Sequence, residues 1–143
     1  MCRFLSAVAG VLVLASSLEA QFPIGHATPI GSYTPSLGAE PLWLGNTGFG
    51  YRIHHAPPGG SAFVALSAQR VDQVISGLQI YVDVANILIS HVGPVDASGH
   101  AFLPFPLGGP ENPALAGIQA YAQAAVDDPA SPGSFGATAG LLL

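Results

Sequence analysis

The sequence predicts an all-β fold, an antiparallel β-sandwich of the immunoglobulin-like or jelly-roll-like type with about seven or eight short strands. The first observation is that apolar and polar residues alternate with a period of two over several short stretches. The second is that turn-forming sequences such as "APPGGS" and "VDASGH" separate these stretches. The third is that the 18 glycines and 13 prolines are dispersed through a chain that is 50% hydrophobic, which leaves enough apolar side chains for a core.

Alternation assigns an inward and an outward face to each strand, because successive side chains point to opposite sides of a sheet. Strands are predicted over residues 46–55, 62–68, 77–84, 86–92, 101–107 and 134–143. The residues predicted to share inward faces are Phe49, Tyr51, Ile53, Ala62, Val64, Leu66, Leu78, Ile80, Val82, Val84, Ala101, Leu103, Phe105 and Leu107. Pro104 and Pro106 cannot donate ladder hydrogen bonds, so their strand is predicted at a sheet edge.

The alanine-rich segment 114–127 fits two structures. Alanine is the best helix former, but a strand places Ala122, Ala124 and Val126 together on one face. We favour the strand, because the neighbouring segments are β, and the helix stays open. Tyr121 falls on the polar face of this strand and is predicted to be a structural anchor whose hydroxyl bonds to backbone, by analogy with the tyrosine corner of immunoglobulin-like sandwiches.

The first residues predict export. An apolar run over residues 4–18 follows a single arginine, and it is too short for the roughly 20 residues of a membrane span. Residues 1–20 are therefore interpreted as a signal peptide cleaved after Ala20, with cleavage after Ser17 as the alternative. The expected location is extracellular, cell-surface or periplasmic, with no membrane span in the mature chain. Cleavage would remove Cys2, the only cysteine.

The mature chain divides into a Pro/Gly-rich extended arm with a first edge strand, residues 21–45, and a sandwich domain, residues 46–143. Only 8% of residues are charged, the net charge is −5 and there is no lysine. A surface of this kind offers no cationic stripe for phosphates, so nucleic-acid binding is not expected.

No cofactor, metal or catalytic site is predicted. His54 and His55 are neighbours on a strand and point to opposite faces, with His54 solvated beside Arg52 and His55 closing the inner face. No sequence spacing brings His26, His91 and His100 together, and a zinc site needs three or four converging ligands.

Carboxylates and a serine also fail to form a recognisable site. Asp96, Ser98 and His100 are the residue types of a hydrolase site. In "DASGH", however, a turn is predicted whose hydrogen bonds occupy the Asp96 carboxylate. The acidic residues considered for calcium lack a D-x-D-x-D-G loop, and they are Asp83, Glu111, Asp127 and Asp128.

The leading functional hypothesis is a non-enzymatic structural or adhesive module that self-associates, because so uncharged a surface has little protection against edge-to-edge pairing. The alternative is a carbohydrate-binding module, in which Trp43, Tyr81 or Phe102 faces outward and stacks on sugar rings of an extracellular polysaccharide. A hydrolase is the third hypothesis and requires a pocket that joins histidine to aspartate or serine.

Several segments taken in order resemble a known family. They are "PLWLGNTGFGYRIHHAPPGGSAFVALS", "LQIYVD", "DASGHAFLPFPL" and "NPALAGIQAYAQAAVDDPASPGSFGATAGLLL". They resemble small secreted β-sandwich domains of exported environmental bacterial proteins, whose pattern runs L-G-N, A-P-P-G, L-Y-V-D, D-x-x-G-x-A and L-x-G-x-x-x-Y-x-Q. The resemblance implies no catalytic residues, since that family has no assigned activity. Members often carry a cysteine before L-Y-V-D, where this chain has Gly77 and Leu78, so no disulfide is implied.

Overall fold

A computed structural model describes residues 21–40, 46–105 and 119–143, and these residues form antiparallel strands and no helix. The strands are β1 (Phe22–Ile24), β2 (Ser36–Ala39), β3 (Gly50–His54), β4 (Ser61–Ser67), β5 (Arg70–Ile75), β6 (Leu78–Val82), β7 (Ile87–Pro94), β8 (Ala101–Pro104), β9 (Tyr121–Asp127), β10 (Phe135–Ala137) and β11 (Gly140–Leu142). The all-β prediction is confirmed. The strands outnumber those predicted because the arm supplies two, β5 was not predicted, and the last strand is divided.

The strands form three layers of unequal size. The main sheet has the order β1-β11-β9-β4-β7, with β10 also paired to β9. The small sheet has the order β2-β3-β8, and β5 pairs with β6 in a separate hairpin. β8 lies at an edge of the small sheet, which confirms the position predicted from its proline. The arm is built into both sheets, because β1 extends the main sheet and β2 extends the small one.

The core lies between the main and small sheets and matches small side chains with large ones. On the main sheet Ala122 and Ala124 are fully buried. They belong to the same cluster as Phe49, Tyr51 and Phe105, whose rings meet at centroid distances of 5.5–6.3 Å. Alanines leave the depth that these aromatic rings fill, as dense packing requires. The inward positions predicted in the first two of these strands are confirmed, and they are Phe49, Tyr51, Ile53, Ala62, Val64 and Leu66.

The alanine-rich segment is a strand where the structure describes it. β9 lies between β4 on one side and β10 and β11 on the other, so both of its edges are hydrogen-bonded. This pairing overrides the helix propensity of alanine, since tertiary context routinely outweighs such preferences. The favoured strand is confirmed over residues 121–127 and the helix alternative is wrong there, while residues 114–118 lie outside the described part.

The β5–β6 hairpin packs on the outer face of the main sheet and corrects the prediction for residues 77–84. Its turn has positive φ at Ser76 (52°) and Gly77 (83°), the signature of a type I′ turn. Tyr81, predicted to face solvent, is 2% exposed, whereas Val84, predicted to face the core, is 45% exposed. The assignment fails for Tyr81 and Val84, because the face of β6 that was predicted to be outward packs against the main sheet.

Gln123 holds this hairpin in place. Its side chain is 4% exposed and lies beneath β6. The Oε1 atom accepts a hydrogen bond from the Tyr81 N–H (2.8 Å), while Nε2 donates to the carbonyls of Gln79 (2.8 Å) and Thr138 (2.8 Å). One amide therefore bonds three backbone groups, two on β6 and one in the connection between β10 and β11, which links the hairpin to the main sheet.

Tyr81 forms the tyrosine-to-backbone contact that the sequence assigned to Tyr121. The His26 N–H donates to the Tyr81 hydroxyl at 3.1 Å, and that hydroxyl lies 3.4 Å from the His26 carbonyl oxygen. The ring packs so closely that a Cβ at Gly25 would lie 2.1 Å from its oxygen. Tyr121 is half-buried, and within the described ranges its hydroxyl has no hydrogen-bond partner.

Replacing Gln123 with alanine should destabilise the fold by about 3 kcal/mol, because the substitution leaves buried backbone groups without partners. Gln119→Ala is the matched control, since Gln119 is exposed just before β9. Urea unfolding of both variants measures the difference. Equal stability of the two variants would contradict the proposed role of Gln123.

Tyr81→Phe should cost about 1 kcal/mol through the lost contact with the His26 backbone, while Tyr121→Phe should leave the free energy of unfolding nearly unchanged. Thermal or chemical melts of the two variants test this. The reverse order of stability would restore the anchoring hydrogen bond to Tyr121.

Candidate functional site

β7 is the most exposed apolar element of the described chain. Seven of its eight residues are exposed, including Ile87 (38%), Leu88 (58%), Ile89 (44%) and Val92 (59%). The strand predicted over residues 86–92 is thus confirmed as a strand. An exposed run of this length and apolarity, placed at a sheet edge, is typical of a surface that binds another chain.

Both faces of β7 are open as well as its edge. Val92 pairs with Phe63 on the outer face of the main sheet, and Phe63 is itself 37% exposed. Ile89 pairs with Leu66 and therefore belongs to the inner face, yet it stays 44% exposed. Among the described residues, β4 is the only strand that pairs with β7. The strand thus presents a free edge and two apolar sides.

β7 lacks the usual protection of an edge strand. It contains no Lys, Arg, Asp or Glu, and its one proline, Pro94, is its last residue. Natural proteins protect such edges with charges, prolines or short strands, so that they do not pair with other chains. The eight-residue length and the uncharged sequence leave this edge free to pair.

On the outer face of the small sheet, the charged side chains already contact one another and a neighbouring aromatic ring. The Arg52 guanidinium forms an ion pair with Glu40 and lies 5.1 Å from the centroid of the Phe102 ring. A Cβ at Gly50 would lie 2.5 Å from the same ring, so Phe102 packs across the Gly50 backbone. Phe102 is 47% exposed, as the sequence predicted for a stacking residue, but Arg52 occupies part of its face.

The residues proposed for carbohydrate stacking do not form a row in the described structure. Tyr81 is buried, so its assignment as a stacking residue is wrong. Trp43 lies outside the described residues. Three other exposed rings, Phe22, Phe63 and Phe135, stand on three different strands, β1, β4 and β10. Among the described residues these three rings make no aromatic contact with one another, so no contiguous stacking row is seen.

The structure brings together His54 and His100, which no sequence spacing had connected. The rings of His54 and His100 have centroids 4.9 Å apart, and the His55 ring lies 6.4 Å from that of His54. His55 has φ of 58° and is exposed, so the prediction that it closes the inner face is wrong. The left-handed backbone ends the strand there and turns the side chain out of the alternation. His26 contacts Tyr81, whereas His91 lies on β7, and both are away from this group.

The surroundings of His54 disfavour its protonated form. Burial lowers the pKa of His54, and the nearby His100, His55 and Arg52 lower it further. Within residues 21–40, 46–105 and 119–143, no group of three or more histidine, cysteine or acidic side chains converges as a metal site. The site is therefore a pair of neighbouring imidazoles without a converging third ligand among the described residues.

The hydrolase candidates are arranged as a turn. Asp96 Oδ1 accepts hydrogen bonds from the N–H groups of Ser98 (2.8 Å) and His100 (3.0 Å). A shallow depression of about 420 Å³ is lined in part by His55 and Ser98, but the Asp96 carboxylate is directed into its own turn. The backbone N–H groups of His100 and Ser98 hold the pKa of Asp96 below its ordinary value.

The calcium candidates are also engaged in local turns. Asp83 Oδ1 accepts from the Ala85 N–H at 3.0 Å, and Asp128 Oδ1 accepts from the Ala130 N–H at 2.9 Å. Asp127 Oδ1 accepts from the Ser61 N–H, on a neighbouring strand. Glu111 lies outside the described residues. These carboxylates cap turns and strand ends and do not converge on a shared point.

No protein-family model, curated protein or solved structure matches this chain. The resemblance to small secreted β-sandwich domains therefore stays a prediction. Among the residues that the structure describes, there is no helix long and apolar enough to cross a membrane.

Asp96→Asn should lower the melting temperature at neutral pH and lose this effect in acid. Because the folded-state pKa of Asp96 lies below its ordinary value, the ionised carboxylate stabilises the fold at neutral pH, and the contribution disappears as the pH falls through the lowered pKa. Melting curves of both proteins from about pH 7 to about pH 2 test this. A gap that stays constant over that range would contradict the role given to the carboxylate.

Proposed function

We propose that this protein is an exported, non-catalytic β-sandwich module that self-associates by pairing β7 with β7 of a second copy. The observation that carries the proposal is that β7 is an uncharged, eight-residue edge strand with apolar side chains exposed on both faces. The apolar leader and the scarcity of charge support an exported protein with a structural or adhesive role.

A second copy suits this edge because the strand can pair with itself. Two antiparallel β7 strands related by a two-fold axis would continue the main sheet from one copy into the other. The only ionisable side chain on β7 is His91, so two copies approach without like-charge repulsion. Full burial of an exposed Ile, Leu or Val side chain is worth roughly 1.5–3 kcal/mol, and a half-exposed one contributes less.

The faces of β7 add to the pairing of its edge. Ile87, Val92 and the adjacent Phe63 lie on the outer side of the main sheet, and Ile89 lies on the inner side. In a two-fold pair, these side chains would lie beside apolar side chains of β7 from the other copy. Backbone hydrogen bonds would set the geometry, and the apolar contacts would supply most of the affinity.

Self-association is preferred to carbohydrate binding because the exposed aromatic rings are dispersed, whereas the exposed aliphatic residues of β7 are contiguous. A hydrolase is not supported, since the Asp96 carboxylate accepts hydrogen bonds from its own turn and does not orient a histidine.

Val92→Lys should convert the self-associated protein to a monomer, because a lysine on each copy would place like charges beside one another at the shared edge. Val74→Lys is the matched control: Val74 is similarly exposed (66% against 59%) but lies on β5. Light scattering coupled to size exclusion measures the mass. A monomeric parent protein, or dissociation by the Val74 substitution alone, would reject the proposal.

The geometry can be tested separately with single cysteines at residues 88–92 in protein that carries Cys2→Ser. A residue on the two-fold axis faces its own copy, with Cα atoms about 4.5–5.5 Å apart, which is within disulfide range. Oxidation should therefore cross-link one position on β7 in preference to its neighbours. Uniformly weak cross-linking along β7 would exclude direct strand pairing.

A further inference from the structure

The register of the small sheet brings two histidines from distant parts of the sequence onto one solvent-facing surface. Ile53 on β3 pairs with Ala101 on β8, so the next antiparallel pair along these strands is His54 with His100. Their ring centroids lie 4.9 Å apart and their planes are inclined at 75°. Small side-chain rotations from this arrangement can place one nitrogen of each ring about 2.0–2.1 Å from a shared ion.

The backbone fixes both histidines before any ligand arrives. His54 ends β3 and pairs with Ser36 on the neighbouring β2. The His100 N–H donates to Asp96 Oδ1 at 3.0 Å, and its carbonyl accepts from the Asp96 N–H at 2.7 Å. A ligand pair held by a strand and by a hydrogen-bonded turn loses less conformational freedom on binding than a pair on mobile loops.

The positive charge of Arg52, which disfavours a cation near His54, is balanced by an ion pair. Arg52 lies two residues before His54 on the same strand face, but its guanidinium is paired with Glu40 and stacked over Phe102. Imidazole nitrogens suit zinc, copper and nickel, whereas calcium and magnesium prefer oxygen ligands. The available donors therefore select borderline transition metals over hard cations.

We propose that His54 and His100 form a two-histidine site for a divalent transition-metal ion such as Zn²⁺, Ni²⁺ or Cu²⁺. The two imidazoles supply two ligands, and water or an added ligand takes the remaining positions. The site goes beyond self-association and lies on the small sheet, whereas β7 belongs to the main sheet. Either proposal can therefore fail without the other.

Calorimetric titration of untagged protein with ZnCl₂ and with NiCl₂, at about pH 7.5 to keep imidazole neutral, tests the site. We expect one ion per chain and no binding of MgCl₂. His54→Asn and His100→Asn should each weaken Zn²⁺ binding about tenfold or more, since even indirect partners of metal ligands carry 10–100-fold effects. His26→Asn and His91→Asn, which remove histidines elsewhere, should leave binding unchanged.

The unsubstituted protein provides a second measurement that does not depend on a variant's folding. Substoichiometric Cu²⁺ should broaden the imidazole NMR signals of His54 and His100 before those of His26 and His91. The Val92→Lys protein should bind Zn²⁺ as the parent does, which separates this result from self-association. Unchanged affinity in the His54 and His100 variants, or first broadening at His26 or His91, would overturn the site.

Discussion

The alternation of β9 between very small inward side chains and a glutamine facing outward is the constraint on which the rest of the fold depends. Inward, Ala122 and Ala124 leave the depth that the aromatic rings of Phe49 and Tyr51 fill from the small sheet. Outward, Gln123 binds the hairpin through two backbone groups of β6 and also bonds the carbonyl of Thr138. A bulky residue at either alanine would separate the two sheets, and loss of the amide would detach the third layer, so one strand sets the spacing of all three.

This layering also decides which surfaces remain open. The hairpin covers the outer face of the main sheet around Gln123, and the small sheet covers the inner face around the alanines. Most of β7 lies beyond both covers, with only its Gly93 end near Leu103 of β8, so its apolar side chains stay exposed. Its exposure is thus a consequence of unequal layer sizes. A partner strand is the structural element that would cover an edge and two faces together.

The charged groups of the described residues interact with their near neighbours. Arg52 is held by Glu40 and by the Phe102 ring, and Asp96 accepts the N–H groups of its own turn. Ion pairs of this exposed kind contribute little to stability, so the fold depends on packing and backbone pairing. Because Arg52 and Asp96 are paired in this way, the imidazoles of His54 and His100 remain available as metal ligands on the small-sheet surface. This places the metal proposal and the self-association proposal on different sheets.

The sequence by itself determined the fold class, the turn at Asp96 and the inward faces of β3, β4 and β8, because period-two alternation and turn chemistry are local properties. For residues 121–127 it favoured a strand over a helix, and the pairing of both edges of β9 decided between them. Only the tertiary structure decided the burial of Tyr81, the hairpin linkage through Gln123, the exposure of β7 and the meeting of His54 with His100. Alternation identifies the two faces of a strand but not what covers each face. Likewise, spacing along the chain carries no information on strand register, which long-range pairing sets.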